Sequence, residues 1–225
     1  MLHPVFIKGC FGPAQLTTVV GYRFGLAAFA AALAYVVVQV GQVVGVLRFP
    51  WDEILIYGTS LCIVVPFVLE MLAFHYSTAP DTRFWTHAAL IFTVMYAIFV
   101  TTNYVVQLAT VIPAKLAHTV EGIRLLDQTP HSLFWDFDAM GYICMGLATL
   151  FAIPAVSRTD SERWLRIALI AHTFVTPLIA FVYFYPRYSP ALLLLGFPWG
   201  VTAPLFMLLL AIALRMRNPS LTRVL

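Results

Sequence analysis

Residues 24–47 read FGLAAFAAALAYVVVQVGQVVGVL, a run without one charged side chain. Wound as a helix at about 1.5 Å per residue, it reaches roughly 36 Å, more than the roughly 30 Å of hydrocarbon in a bilayer. Its apolar residues are continuous rather than alternating, which predicts a spanning helix and not a barrel strand. The run is too long, and lies too far from residue 1, to read as a cleaved signal peptide. Five further stretches pass the same test: Ile54–Phe74, Trp85–Val111, Leu133–Val156, Leu165–Tyr185 and Leu192–Leu214. The chain therefore reads as one all-α integral membrane domain over residues 1–225, a polytopic bundle of six transmembrane spans. The first 20 or so residues, interrupted by Pro4, Lys8 and Pro13, read as an interfacial helix and not as a seventh span.

Composition agrees with that reading. Of 225 residues, 61% are hydrophobic and only 10% charged, against about 25% charged in a soluble domain. Soluble globular, disordered and disulfide-scaffold classes are excluded. The formal net charge of +3 reads as topogenic Lys and Arg, and no basic run supports nucleic-acid binding. Cys62 and Cys144 fall in apolar segments and read as small core residues. Cys10 is a candidate for palmitoylation.

Charge asymmetry orients the bundle. Lys8, Arg23, Arg83, Arg158, Arg163, Arg166, Arg215, Arg217 and Arg223 fall on the side of the termini and the even loops. Arg48, Lys115, Arg124 and Arg187 fall on the other. By the positive-inside rule both termini are expected in the cytoplasm. Trp51, Trp85, Trp135 and Trp164 lie at expected boundaries, as in an aromatic belt.

Threading the helices converts position into depth. Asn103 and Gln107 fall in the outer half of the third span, four apart on one face. Gln39 and Gln42 share a face at the outer end of the first span, and Tyr104, Tyr183 and Trp199 belong to the same layer. Asp136 and Asp138 open the fourth span, two apart and so on different faces. Each residue also has a plain reading: acids complementing a helix N-terminus, amides as interhelical glue, aromatics as core. Their gathering in one leaflet points to a cavity open to the outer side. Glu70, near the inner end of the second span, reads as snorkelling or pairing with an Arg. His172, with Thr173, Thr176 and Pro177, reads as a packed histidine or as part of a proton relay with Glu70. The remaining histidines lack metal-ligand spacing, and neither a metal nor a cofactor is implied.

Gly41 and Gly45, and Gly196 and Gly200, have the spacing of close-packing helix faces. Pro198 and Pro204 break the sixth span. Residues 113–132 read as a short amphipathic helix with Leu116, Val120, Ile123 and Leu126 on its apolar side.

Three blocks resemble a family: NYVVQLATVIPAKLA from Asn103, DAMGYICMGLATLFAIPAV from Asp138, and GFPWGVTAPLFMLLLAIALRMR from Gly196. Together they are similar to uncharacterised bacterial six-helix integral membrane proteins, over roughly Trp85 to Arg217. The resemblance implies a bacterial inner-membrane setting and carries over no activity.

The leading functional expectation is an outer-leaflet cavity that binds a lipophilic, lipid- or isoprenoid-like molecule, with two versions left open: binding alone, or binding followed by modification through acid–base chemistry. Asp138, with Asp136 as the second candidate, would exchange the proton. Asn103, Gln107, Gln39 and Gln42 would orient the ligand, and Tyr104 and Trp199 would wall it. Two alternatives stand beside it. One is a non-catalytic membrane subunit, in a homo-oligomer or on a partner, packing through the glycine faces. The other is a small transporter with Glu70, His172 and Asp138 as a proton path.

Overall fold

The computed structural model describes residues 13–119 and 121–218. Six helices are long and apolar enough to cross a membrane. They are α1 (Pro13–Val43), α2 (Trp51–Tyr76), α3 (Arg83–Val106), α4 (Leu133–Ala152), α5 (Arg163–Phe184) and α6 (Trp199–Met216). The connections turn each helix back on its predecessor. The six pack in chain order as a ring that α6 closes on α1, and α2 also touches α6 across it. We call the end that carries residues 117–132 the connection end, and the opposite one the terminal end. Phe67 fills the middle, edge-on to Tyr96 at 5.6 Å and to Phe206 at 5.7 Å. Outward-facing Val37, Val65, Phe174 and Val201 are exposed, the apolar exterior expected of a bundle whose solvent is lipid.

Several boundaries differ from the sequence reading. α1 starts at Pro13, eleven residues before Phe24, and runs for 31 residues. Arg23 is exposed, so its charge ends the apolar run without ending the helix. The interfacial-helix expectation therefore fails from Pro13 onward. Pro4, Lys8, Cys10, Val120 and Arg223 lie outside the described residues.

α3 continues through a π-helical turn, Gln107–Val111, into Ile112–Leu116. Pro113 has no N–H to offer the carbonyl one turn back, and the widened turn lies just before it. Beyond Leu116 the expected amphipathic helix is not formed. The described residues make turns, with His118 and His131 at positive φ, and Leu125 is 81% exposed. Besides local turn bonds such as the Leu126 N–H to the Ile123 carbonyl at 2.8 Å, they bond to the bundle, where Gln107 donates to the Leu126 carbonyl at 2.7 Å. Ser132 then caps α4, its hydroxyl accepting from the Trp135 N–H at 3.2 Å, the role typical of an N-cap serine.

The glycine pairs do not form helix faces. Gly45 follows α1 in a turn at φ +75°, a conformation glycine adopts without steric cost. Gly196 lies in a short 3₁₀ segment before α6 with open space where a Cβ would stand, and Gly200 faces Val36 of α1 within the same chain. Pro198 precedes α6 rather than interrupting it, whereas Pro204 lies inside. Two further expectations change, Trp135 at a boundary and Cys62 in the core. Trp135 is buried, its indole N–H donating to the Tyr183 carbonyl at 3.2 Å. Cys62 is exposed, and Cys144 is buried as expected.

Candidate functional site

The polar residues of the connection end meet around Asp138. One turn into α4, its side chain points inward and is 3% exposed, whereas Asp136, two residues earlier, is exposed. The Tyr104 hydroxyl of α3 donates to Asp138 Oδ1 at 2.6 Å. The Tyr183 hydroxyl of α5 donates to Oδ2 at 2.5 Å, and the Gln128 amide donates to the same oxygen at 3.0 Å. A carboxylate offers about four acceptor directions; these donors, from three pieces of chain, occupy three of them.

Gln128 belongs to the helix-free connection and is held twice more. Its side-chain oxygen accepts from Asn103 at 3.0 Å, and its backbone N–H donates to Gln107 Oε1 at 3.2 Å. Gln107 also donates to the Leu126 carbonyl at 2.7 Å and to Asn103 Oδ1 at 3.3 Å. The last contact is the one-turn pairing that the spacing of 103 and 107 expects. Beside them Lys115 bridges Asp127 of the connection at 3.0 Å and Glu53 of α2 at 3.1 Å. The connection is thus latched to α3 by amides and by an ion pair, with one amide lowered onto the buried acid.

A second polar file runs along α1. Tyr142 of α4 and Tyr35 of α1 share a hydrogen bond at 3.1 Å. Tyr35 donates to Gln39 at 3.0 Å, Gln39 to Gln42 at 3.2 Å, and Gln42 to Asp52 of α2 at 3.1 Å. Trp199 stands between Tyr35 and Tyr142, edge-on to both at 5.3 and 5.2 Å. Its indole N–H is buried without a partner among the described residues. The Tyr142 and Tyr183 rings, 6.0 Å apart, join this file to the Asp138 cluster.

So Asn103, Tyr104, Gln107 and Asp138 come together, and Gln39, Gln42 and Trp199 lie alongside. Asp136, His172 and Glu70 do not join them. His172 is buried, sharing a hydrogen bond with Thr202 at 3.0 Å and resting on the Phe206 ring, which is the packed arrangement. Glu70 corrects the expectation of snorkelling or an Arg partner. It is 0% exposed, and neither carboxylate oxygen has a hydrogen-bond partner among the described residues. Arg217 is committed to Glu162 at 2.8 Å instead.

Gln128 and Asp52 were missed from sequence, and Tyr142 was read only as part of the block that opens at Asp138, without a role of its own. Tyr142 carried a usable signal, since it lies four residues after Asp138 on the same helix face. Gln128 carried none, because its partners are all set by tertiary folding. Among the described residues no three His, Cys, Asp or Glu side chains gather as a metal site would require. Compared with protein-family models, with curated proteins and with solved structures, the chain matches none.

Proposed function

We propose that this protein binds an amphiphilic, lipid- or isoprenoid-like molecule at the connection end, with the ligand's polar head taking the place of Gln128 on Asp138. The observation that carries the reading is Gln128 itself. A loop amide there donates to a buried acid and accepts from Asn103, so a hydroxyl or amide head can make the same two bonds. Tyr104 and Tyr183 would hold the carboxylate in place, and the aromatic wall of Trp199, Tyr35 and Tyr142 would receive the apolar part. With the acid shielded from water and two phenol hydroxyls on it, Asp138 is positioned to exchange a proton with the bound head. In this reading the chain is a multi-pass protein of a bacterial inner membrane, with its termini cytoplasmic and the connection end outward.

Native mass spectrometry of the protein released from mild detergent tests it. The wild type is expected to keep one lipophilic molecule, and Asp138→Leu to lose it at least tenfold. Asp138→Asn is expected to keep the ligand and lose any turnover. Wild type and Asp138→Leu carrying the same unselective lipid mixture would refute the proposal.

A further inference from the structure

At the terminal end, far from Asp138, the tips of α2 and α3 form a groove of about 530 Å³ lined by His75, Arg83, Phe84, His87, Ala88 and Ile91. Its lining is divided by chemistry. Arg83, His75 and His87 supply the polar part, with the two imidazole rings 5.5 Å apart. Phe84, Ala88 and Ile91 recur at helical spacing down α3 and form an apolar stripe, with Phe84 73% and Ile91 51% exposed.

The basic groups have few internal duties. His75 Nδ1 shares a hydrogen bond with Thr86 at 2.9 Å, which leaves the other ring nitrogen for a ligand. Arg83 gives one N–H to the Thr78 carbonyl at 3.3 Å, and a guanidinium has five. None of the lining residues is acidic. The acids nearest in sequence are Asp81, exposed in the α2–α3 turn, and Glu70, buried one and a half turns back in α2. Three basic side chains alongside an apolar stripe call for an anion that carries a hydrocarbon tail.

We propose that this groove binds an anionic phospholipid, its phosphate on Arg83, His75 and His87 and an acyl chain along Phe84, Ala88 and Ile91. The stripe selects a lipid over a free phosphate ion, because the ion would leave Phe84, Ala88 and Ile91 uncovered. The basic side chains select an anionic over a zwitterionic head. Trp85, partly exposed beside Phe84, is the kind of side chain that settles at headgroup level.

The full chain in detergent would be titrated with phosphatidylglycerol and, separately, phosphatidylcholine, and bound lipid counted by native mass spectrometry. The expected result is at least a tenfold preference for phosphatidylglycerol, abolished in the double variant Arg83→Gln/His87→Gln. It should persist in Arg187→Gln, which removes one positive charge from the opposite end. Both altered residues of the double variant are exposed, and an unchanged unfolding temperature confirms that the variant is folded. Equal binding of the two lipids would overturn the proposal, as would a double variant with the wild-type preference. Displacement of the lipid by millimolar inorganic phosphate would overturn the lipid assignment and make the groove a free-anion site.

Discussion

Asp138 and Glu70 are two acids of one bundle, 3% and 0% exposed, and their surroundings are opposite. Around Asp138 three elements bring an O–H or N–H donor each. Around Glu70 the neighbouring helices bring Gly25 of α1 and Ala211 of α6, neither of which has a side-chain donor. Of the basic residues at the terminal end, Arg217 is held by Glu162 and Arg215 lies over the Tyr22 ring at 5.5 Å. Burial alone therefore does not set the cost of an acid in this fold. A carboxyl with its acceptor sites filled anchors the helices that fill them, and one left without partners weakens the packing around it in either charge state.

The largest expected effect follows on the Asp138 side. Asp138→Leu leaves the Tyr104 and Tyr183 hydroxyls and the Gln128 amide without their acceptor, all at once. A fully buried donor left unmade costs about 1–3 kcal/mol, and with Tyr104 buried but Tyr183 and Gln128 only half-buried the variant should lose about 3–5 kcal/mol. Thermal unfolding in detergent would show this as the largest drop among single substitutions at the connection end. A drop no larger than that of Tyr183→Phe would mean that the three bonds do not act together.

How much of this contrast could be read beforehand depended on the range of the forces involved. The spans were legible because an apolar run must be buried in lipid or protein whatever its neighbours are. Asn103 and Gln107 were legible as a pair because helical spacing places them together. Helix starts were less so: Arg23 interrupts the hydropathy of α1, but a helix tolerates an exposed arginine. Residues 117–132 carry a helical pattern, yet Gln128 and Asp127 are held by Asn103, Gln107 and Lys115, and those tertiary bonds prevail over local periodicity. Glu70 was misread for the same reason. Its distance from the helix end suggested a snorkelling side chain, and only the assembled ring shows α1 and α6 closing over it.

Gly25 sharpens the comparison from the other side of the contact. A methyl at this position would meet the Glu70 carboxylate and would lie 2.7 Å from the Ala211 Cβ. Overpacking of this kind costs about 1–3 kcal/mol, so Gly25→Ala should lower the unfolding temperature, although it is a mild change on paper. In a Glu70→Ala background part of that penalty should vanish and the Ala211 part should remain. A double-mutant cycle would then give a coupling of about 1 kcal/mol. A coupling of zero would show that Ala211 alone limits the approach of α1.

The smallest effect has the most informative sign. Glu70→Met replaces the carboxyl with an unbranched apolar chain of similar length, which adapts well to an irregular space. Because neither oxygen of Glu70 has a partner among the described residues, the exchange removes a desolvation penalty and breaks none of the hydrogen bonds described. Replacing buried polar groups by apolar ones of like shape is often neutral or stabilising, and here a gain of about 1–2 kcal/mol is expected. The same exchange at Asp138 would go the other way. A fall in stability for Glu70→Met would mean that the carboxyl is engaged by something besides the protein. A rise would mean that the bundle keeps, at its three-helix junction, an acid that its own packing does not require, and the reason for that acid would then lie in function.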